Sequence, residues 1–260
     1  MENMMLKYDY YNREERAICA HLFRLLHENL EKKGESSLGE FLNCLNKNKL
    51  EFKNGFSNLN NLSFENISIF CEASIIRDAY QNSKPDTIPL MDKITKLVMK
   101  QENISDCRLF SELPSELNDY KKTHPKQIRQ KAEKLNIPLT LNEKIIYGAI
   151  QGMFNAKPDL VILIDNLLLV CEVKMTQDFD TIQIERTWKI SQVWADILYE
   201  DLGFNNPPVY SVFKLGTNSF NPDINWTNCN EIAKKQYNEN DRTRIAIQAG
   251  LDLLKREKLE

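Results

Sequence analysis

Paired cysteines are missing from this sequence. Cys19, Cys44, Cys71, Cys107, Cys171 and Cys229 are scattered with no CxxC pair. That spacing argues against a zinc cluster and a disulfide framework, and for a reducing compartment. Histidine is also scarce: His21, His27 and His124 stand at no metal-ligand spacing from one another or from a cysteine. The few glycines form no GxGxxG, P-loop or GxSxG, so a nucleotide-binding loop and a nucleophile elbow are excluded. No apolar run reaches membrane-spanning length, and the first residues, MENMMLKYDYYNREER, hold no apolar signal segment. A cytoplasmic protein without a membrane partner is expected. Excess positive charge is lacking too: the formal net charge is −3, so any polyanion site must be a local patch.

What is present reads as an ordinary globular chain, 260 residues long, 42% hydrophobic and 27% charged. Residues 1–139 read as a mostly helical region that contributes the first core helix, and 140–260 as the α/β core with a terminal helix, the two forming separate parts or one continuous domain. In NREERAICAHLFRLLHENLEKK, from Asn12, Ile18, Leu22, Leu25, Leu26 and Leu30 fall on one helical face. Residues 46–63 are polar and Asn-rich, as in a loop. Helices are expected around FENISIFCEASIIRDAYQN and IPLMDKITKLVMK. The segment 121–134, KKTHPKQIRQKAEK, holds six Lys or Arg against one Glu. It reads either as a solvated face or as a phosphate-contacting patch. NEKIIYGAIQGMFNA is a helix whose Gly148 and Gly152 each cost about 1 kcal/mol, or else a short strand. A helix over 180–202 carries Ile190, Val193, Trp194, Ile197 and Leu198 on its apolar face, with Trp188 and Trp194 expected in the core. A strand near 208–215 and a helix in DRTRIAIQAGLDLLKREK follow.

The most informative stretch is KPDLVILIDNLLLVCEVK, residues 157–174. Between Asp159 and Glu172 every residue except the pair Asp165-Asn166 is Leu, Val, Ile or Cys. Asp and Asn tolerate the left-handed backbone of a two-residue hairpin loop. Pairing about that loop sets Ile164 against Leu167, Val161 against Val170, and Asp159 against Glu172. Opposed like charges are destabilising in an antiparallel pair. A divalent cation held by both carboxylates would compensate. Alternation puts Glu172 and Lys174 on the face of Asp159, with Cys171 and Val173 pointing away.

Pro158-Asp159, twelve intervening residues and then Glu172-Val173-Lys174 resemble the PD-(D/E)XK nuclease superfamily. The likeness covers roughly 140–216. It implies a restriction-endonuclease-like α/β (α+β) fold, a mixed sheet flanked by helices in the order αβββαβ. It implies a catalytic set of Asp159, Glu172 and Lys174. Asp159, Glu172 and the Val173 carbonyl would hold Mg²⁺, which Mn²⁺ can replace, through hard oxygen donors. Lys174 would orient or deprotonate the attacking water and steady developing charge.

Gln183, at the start of the next helix, stands where many members place a Gln or Lys near the metal or phosphate; an exposed first-turn Gln is the plain alternative. Tyr199, seven residues after Gln192, does not fit the QxxxY pattern of exonuclease-type members. For the helical carboxylate of the family, Glu15 heads the apolar stripe of Ile18, Cys19 and Leu22, although Asn12 and Glu15 also have capping-box spacing. Glu143 is its rival.

The function expected is a Mg²⁺-dependent nuclease. A DNA endonuclease of restriction or phage-defence type is the favoured form, with DNA ahead of RNA as substrate and a homodimer or defence-complex partner. Residues 121–134, Lys234, Lys235, Arg242 and Arg244 are the candidates for backbone contacts. The alternatives are a non-catalytic DNA-binding or assembly subunit, and a chain whose terminal helix, with Ile245, Ile247, Leu251, Leu253 and Leu254, serves as a protein-interaction module.

Overall fold

The computed structural model describes residues 15–31, 36–45, 50–55, 59–201 and 203–258; the side chains of Glu15, Arg16, Asn60 and Asp201 lie outside that description. The fold is mixed α/β, with ten α-helices among the described residues and a five-stranded sheet. Helix α1 spans Glu15–Leu26 and α2 Ser37–Leu45; β1 is Ile67–Cys71. Next come α3 (Ile75–Asn82), α4 (Ile88–Gln101), α5 (Ser115–Asn118), α6 (Ile128–Lys134) and α7 (Leu141–Asn155). The chain then returns as β2 (Leu160–Ile164), β3 (Leu167–Val173), α8 (Thr181–Asp201), β4 (Val209–Gly216), β5 (Ile224–Asn225), α9 (Trp226–Gln236) and α10 (Arg242–Arg256). Sheet order is β1-β2-β3-β4-β5, with β1, β2 and β3 antiparallel in turn and β3, β4 and β5 parallel. A parallel step needs a crossover, and α8 supplies the one between β3 and β4.

The hairpin register is the one that the Asp165-Asn166 loop dictates: Ile164 pairs with Leu167, Val161 with Val170 and Leu160 with Cys171. Of the two loop residues only Asp165 takes the left-handed conformation, at φ 51°. Its carboxylate accepts the backbone N–H groups of Ser63 (2.9 Å) and Asn66 (3.3 Å), which ties the loop to the approach to β1. Burial holds that carboxyl back, but these donors outweigh it and leave its pKa below the usual carboxylate value.

Two expected elements are corrected. FENISIFC does not enter a helix: Ile67–Cys71 is a strand, and the helix begins only at Ile75. Ile69 is buried while Phe70 is 45% exposed, a period-two alternation that lets the stretch pair with β2. NEKIIYGAIQGMFNA is a helix throughout, opened by a capping box in which Thr140 and Glu143 satisfy each other's backbone N–H groups.

The chain divides into two compact units: Met1–Ala73 with Pro158–Ser191 and Leu202–Glu260, and Ser74–Lys157 with Gln192–Asp201. A single cut between 139 and 140 is therefore not the division, because β1 hydrogen-bonds to β2 across the whole 72–159 stretch. In the first unit one core joins α1, α2, α9 and α10 to one face of the sheet through Leu22, Phe41, Leu169, Phe213, Trp226 and Leu251. Ile247, Leu251 and Leu254 of α10 belong to that core. The terminal helix thus spends its apolar face inside its own unit, and the interaction-module reading loses its basis.

In the second unit, Tyr80, Ile94, Val98, Phe110, Tyr147, Phe154 and Trp194 are buried. Glu143 is buried there at 1% exposure, ion-paired with Arg108 and capping α7. The Arg108 guanidinium holds the Glu143 carboxyl below its ordinary value, against the opposing effect of burial. A depressed folded-state pKa contributes stability above the unfolded value, about 4.3, that is lost as pH falls through the folded one. Glu143→Gln is expected to lower unfolding free energy at pH 7 by about 2 kcal/mol and to flatten the acid limb below about pH 4.3. Urea titrations across pH check both.

Candidate functional site

β3 is buried at every position, including Glu172, which retains 4% exposure. A carboxylate in such a place needs donors, since an unsatisfied buried charge costs several kcal/mol. They come from α8. The Gln183 side-chain N–H donates to one Glu172 oxygen at 2.6 Å, and the Thr187 hydroxyl to the other at 2.6 Å. The hydroxyl also lies 3.0 Å from the Gln183 carbonyl, but its single proton goes to the charged acceptor. Gln183 and Thr187 are four apart, one helical turn, so a single face of α8 brackets both carboxylate oxygens. Gln183 is thus not a plain exposed first-turn residue. Thr187 was missed by sequence reasoning; the signal available was its i+4 spacing from Gln183.

Asp159 stands just outside β2, whose pairing begins at Leu160. Its carboxylate accepts the Val173 N–H at 2.8 Å, and its carbonyl accepts the Glu72 N–H at 3.2 Å. The expected ladder partner, Glu172, is not reached through a continued register. Asp159 leaves the strand path and closes its end by capping the strand opposite. Because N–H and C=O of one strand residue leave on the same edge, the Val173 carbonyl faces the side of Asp159. The Lys174 N–H leaves on the opposite edge, to the Leu215 carbonyl at 2.8 Å. Asp159 also lines a cavity of about 190 Å³ with Cys19, Ala20, Cys71 and Glu72.

Glu72 is a third carboxylate here, and sequence reasoning missed it. It follows β1 directly, at φ 49°, and would have been legible had ISIFC been read as a strand. Burial, with Asp159 and Glu72 nearby, pushes the Cys71 thiol up to about 11. It is therefore a poor nucleophile at neutral pH.

Lys174 is half-buried at the end of β3, and its carbonyl accepts the Trp226 indole N–H at 3.0 Å. Lys214 was not anticipated. It stands in parallel register with Glu172, hence on the same face of the sheet. Its ammonium donates to the Asn221 carbonyl at 3.1 Å and lies 5.5 Å from the Phe179 ring centre.

Glu15 opens α1, but its side chain, like all of Asn12, lies outside the described residues. Glu143 is engaged by Arg108 and the α7 cap, a structural role. The histidines carry no metal-like geometry: His27 bonds the Phe23 carbonyl, and His124 packs between Tyr80 and Phe154. Trp194 is buried as expected, whereas Trp188 is half-buried against Tyr210, with Lys53 over its ring. Of the other backbone-contact candidates, Lys234 pairs with Glu231 and Lys235 with Glu40, while Arg244 donates to the Tyr237 carbonyl.

No helix among the described residues is long and apolar enough to cross a membrane. Comparison with protein-family models, curated proteins and solved structures gave no match.

Removing one Glu172 donor is expected to leave a buried oxygen unsatisfied. Thr187→Val should lower stability by about 1–3 kcal/mol, and Thr187→Ser, which keeps the hydroxyl, by less than about 1 kcal/mol. Chemical denaturation of the two variants checks this.

Proposed function

We propose that the chain is a metal-dependent nuclease of PD-(D/E)XK type that hydrolyses phosphodiester bonds, with DNA the favoured substrate. The observation that carries the reading is the pairing of two carboxylates with the end of β3. Glu172 is held on a buried strand by Gln183 and Thr187, and Asp159 is hydrogen-bonded to the very next residue, Val173. The element order also supports it: α1, then β1, β2 and β3, then α8 and β4 follow the αβββαβ order of that superfamily, with α2 intervening between α1 and β1 and residues 74–157 between β1 and β2.

The donors suit Mg²⁺ or Mn²⁺. Asp159, Glu172 and the Val173 carbonyl are hard oxygen ligands, and Mg²⁺ is commonly held by one or two carboxylates completed by substrate phosphate and water. Among the described residues no cluster of three or more His, Cys, Asp or Glu side chains could hold a metal. When bound, the ion neutralises phosphate charge and lowers the pKa of water. Gln183 and Thr187 keep the Glu172 carboxylate in one orientation. Lys174, at the rim of the same face, orients the attacking water and stabilises the charge that develops on the phosphate. Restriction or phage-defence use, a homodimer or defence-complex partner and a cytoplasmic setting follow by analogy of fold.

One observation favours a second reading, a non-catalytic subunit. Both Glu172 oxygens already accept hydrogen bonds, as a purely structural buried carboxylate would.

Cleavage of supercoiled plasmid and linear duplex, with Mg²⁺ and with EDTA, separates the two. The nuclease reading expects metal-dependent nicking that Lys174→Ala reduces by about 100-fold or more. Wild-type protein that stays inert on DNA and RNA across several divalent metals would leave the second reading standing.

A further inference from the structure

Backbone pairing on both edges of β4 fixes the place of Lys214. In the parallel ladder it stands opposite Glu172. The two Cα atoms are therefore about 4.8 Å apart, and both side chains leave the same face. On the outer edge, the Lys214 N–H donates to the Asp223 carboxylate at 2.8 Å, and the Asp223 N–H to the Lys214 carbonyl at 2.9 Å. The half-buried side chain then runs out to a solvent-exposed ammonium, which donates to the Asn221 carbonyl at 3.1 Å. An ammonium has three protons, so two remain for another acceptor.

An aromatic shelf carries that ammonium toward the end of β3. It lies 5.5 Å from the centre of the Phe179 ring, close enough for attraction to the ring face. Phe179 in turn rests on Gly216, where an added Cβ would come within 2.9 Å of the ring and 3.5 Å of the Lys174 carbonyl. The missing side chain is what lets the ring sit between Lys214 and Lys174. Charge is thus divided across the sheet. Asp159 lies on the β2 side of β3, where it bonds Val173, and Lys214 lies on the β4 side, with Glu172 between them. A phosphate drawn to the carboxylate edge by a divalent cation would keep charge on its β4 side, and orienting a water and neutralising that charge are tasks at different atoms.

We propose that Lys214 is a further catalytic residue, the cation that binds a non-bridging oxygen of the scissile phosphate, with Phe179 on Gly216 as its support. The inference rests on the nuclease reading of the β3 site. Lys174 then serves the water, and Lys214 stabilises the charge that develops on the phosphate.

The test gives the full chain two readouts: binding of a fluorescent duplex in EDTA across a salt series, and cleavage of that duplex in Mg²⁺. Wild type is compared with Lys214→Gln, whose amide can still donate to the Asn221 carbonyl, and with Lys214→Arg, which keeps the charge. Phe179→Leu keeps an apolar cover on Gly216 without the ring face, and Lys255→Gln on α10 is the control. Lys214→Gln is expected to lower kcat/KM about 100-fold and to make the log–log salt slope of binding shallower by about 1. Lys214→Arg should keep the slope and roughly a tenth or more of the rate, and Phe179→Leu should lose about 2–5-fold in rate. The control should match wild type in both readouts. Equal kcat/KM and slope for wild type and Lys214→Gln would overturn the proposal and leave the nuclease reading intact. A shallower slope with undiminished cleavage would also overturn it, by placing Lys214 on a flanking phosphate. Wild type that binds with a Lys214-dependent slope but cuts nothing in several divalent metals rejects the nuclease reading, and the catalytic role of Lys214 with it. Wild type that neither binds nor cuts rejects both.

Discussion

A carboxylate inside a fully buried strand is the constraint around which the first unit is arranged. Glu172 sits between Cys171 and Val173, both wholly buried, and is itself almost entirely withdrawn from water. Left alone it would take up a proton or break the sheet. It does neither because α8 crosses the face it points to and offers an amide and a hydroxyl one turn apart. The parallel step from β3 to β4 needs a crossover helix in any case; that this helix carries Gln183 and Thr187 on its sheet-facing side turns a connection into a clamp.

Asp159 meets its own constraint differently. One residue beyond the ladder, it drops out of register and uses its carboxylate in place of a strand carbonyl, accepting the Val173 N–H. The end of the hairpin is closed by an acidic side chain rather than by a further backbone pair. This brings a second carboxylate to the edge from which the Val173 carbonyl leaves. The carboxylates noticed in the sequence each accept hydrogen bonds from within the chain.

The hairpin was legible because its signals are local. An uninterrupted apolar run broken only by Asp165-Asn166 admits one register, and a one-residue slip would reverse every side chain. Helices α1, α8 and α10 were legible from their stripes for the same reason. ISIFC was not. Five residues of Ile, Ser, Phe and Cys suit a helix or a strand equally, and only the free edge of β2 decides between them. NEKIIYGAIQGMFNA was ambiguous through its glycines until Arg129, with a guanidinium nitrogen 3.0 Å from where a Cβ of Gly148 would stand, supplied a reason for that glycine. Thr187, Glu72 and Lys214 are ordinary residues in the sequence. Their importance comes from what stands opposite them in space.

Local pattern by itself determined the turn, the register, the main helices and the presence of carboxylates where a strand pair would bury them. Those features depend on contacts between residues near in sequence, so spacing alone specifies them. The tertiary structure alone decided that β1 pairs with β2 across residues 72–159, that α8 delivers Gln183 and Thr187 to Glu172, and that Glu143 belongs to Arg108 and a helix cap. These pairings join residues from 11 to 97 positions apart, from Gln183 with Glu172 to Ile67 with Ile164. No periodicity in a single chain records which distant side chain will complete a buried polar group.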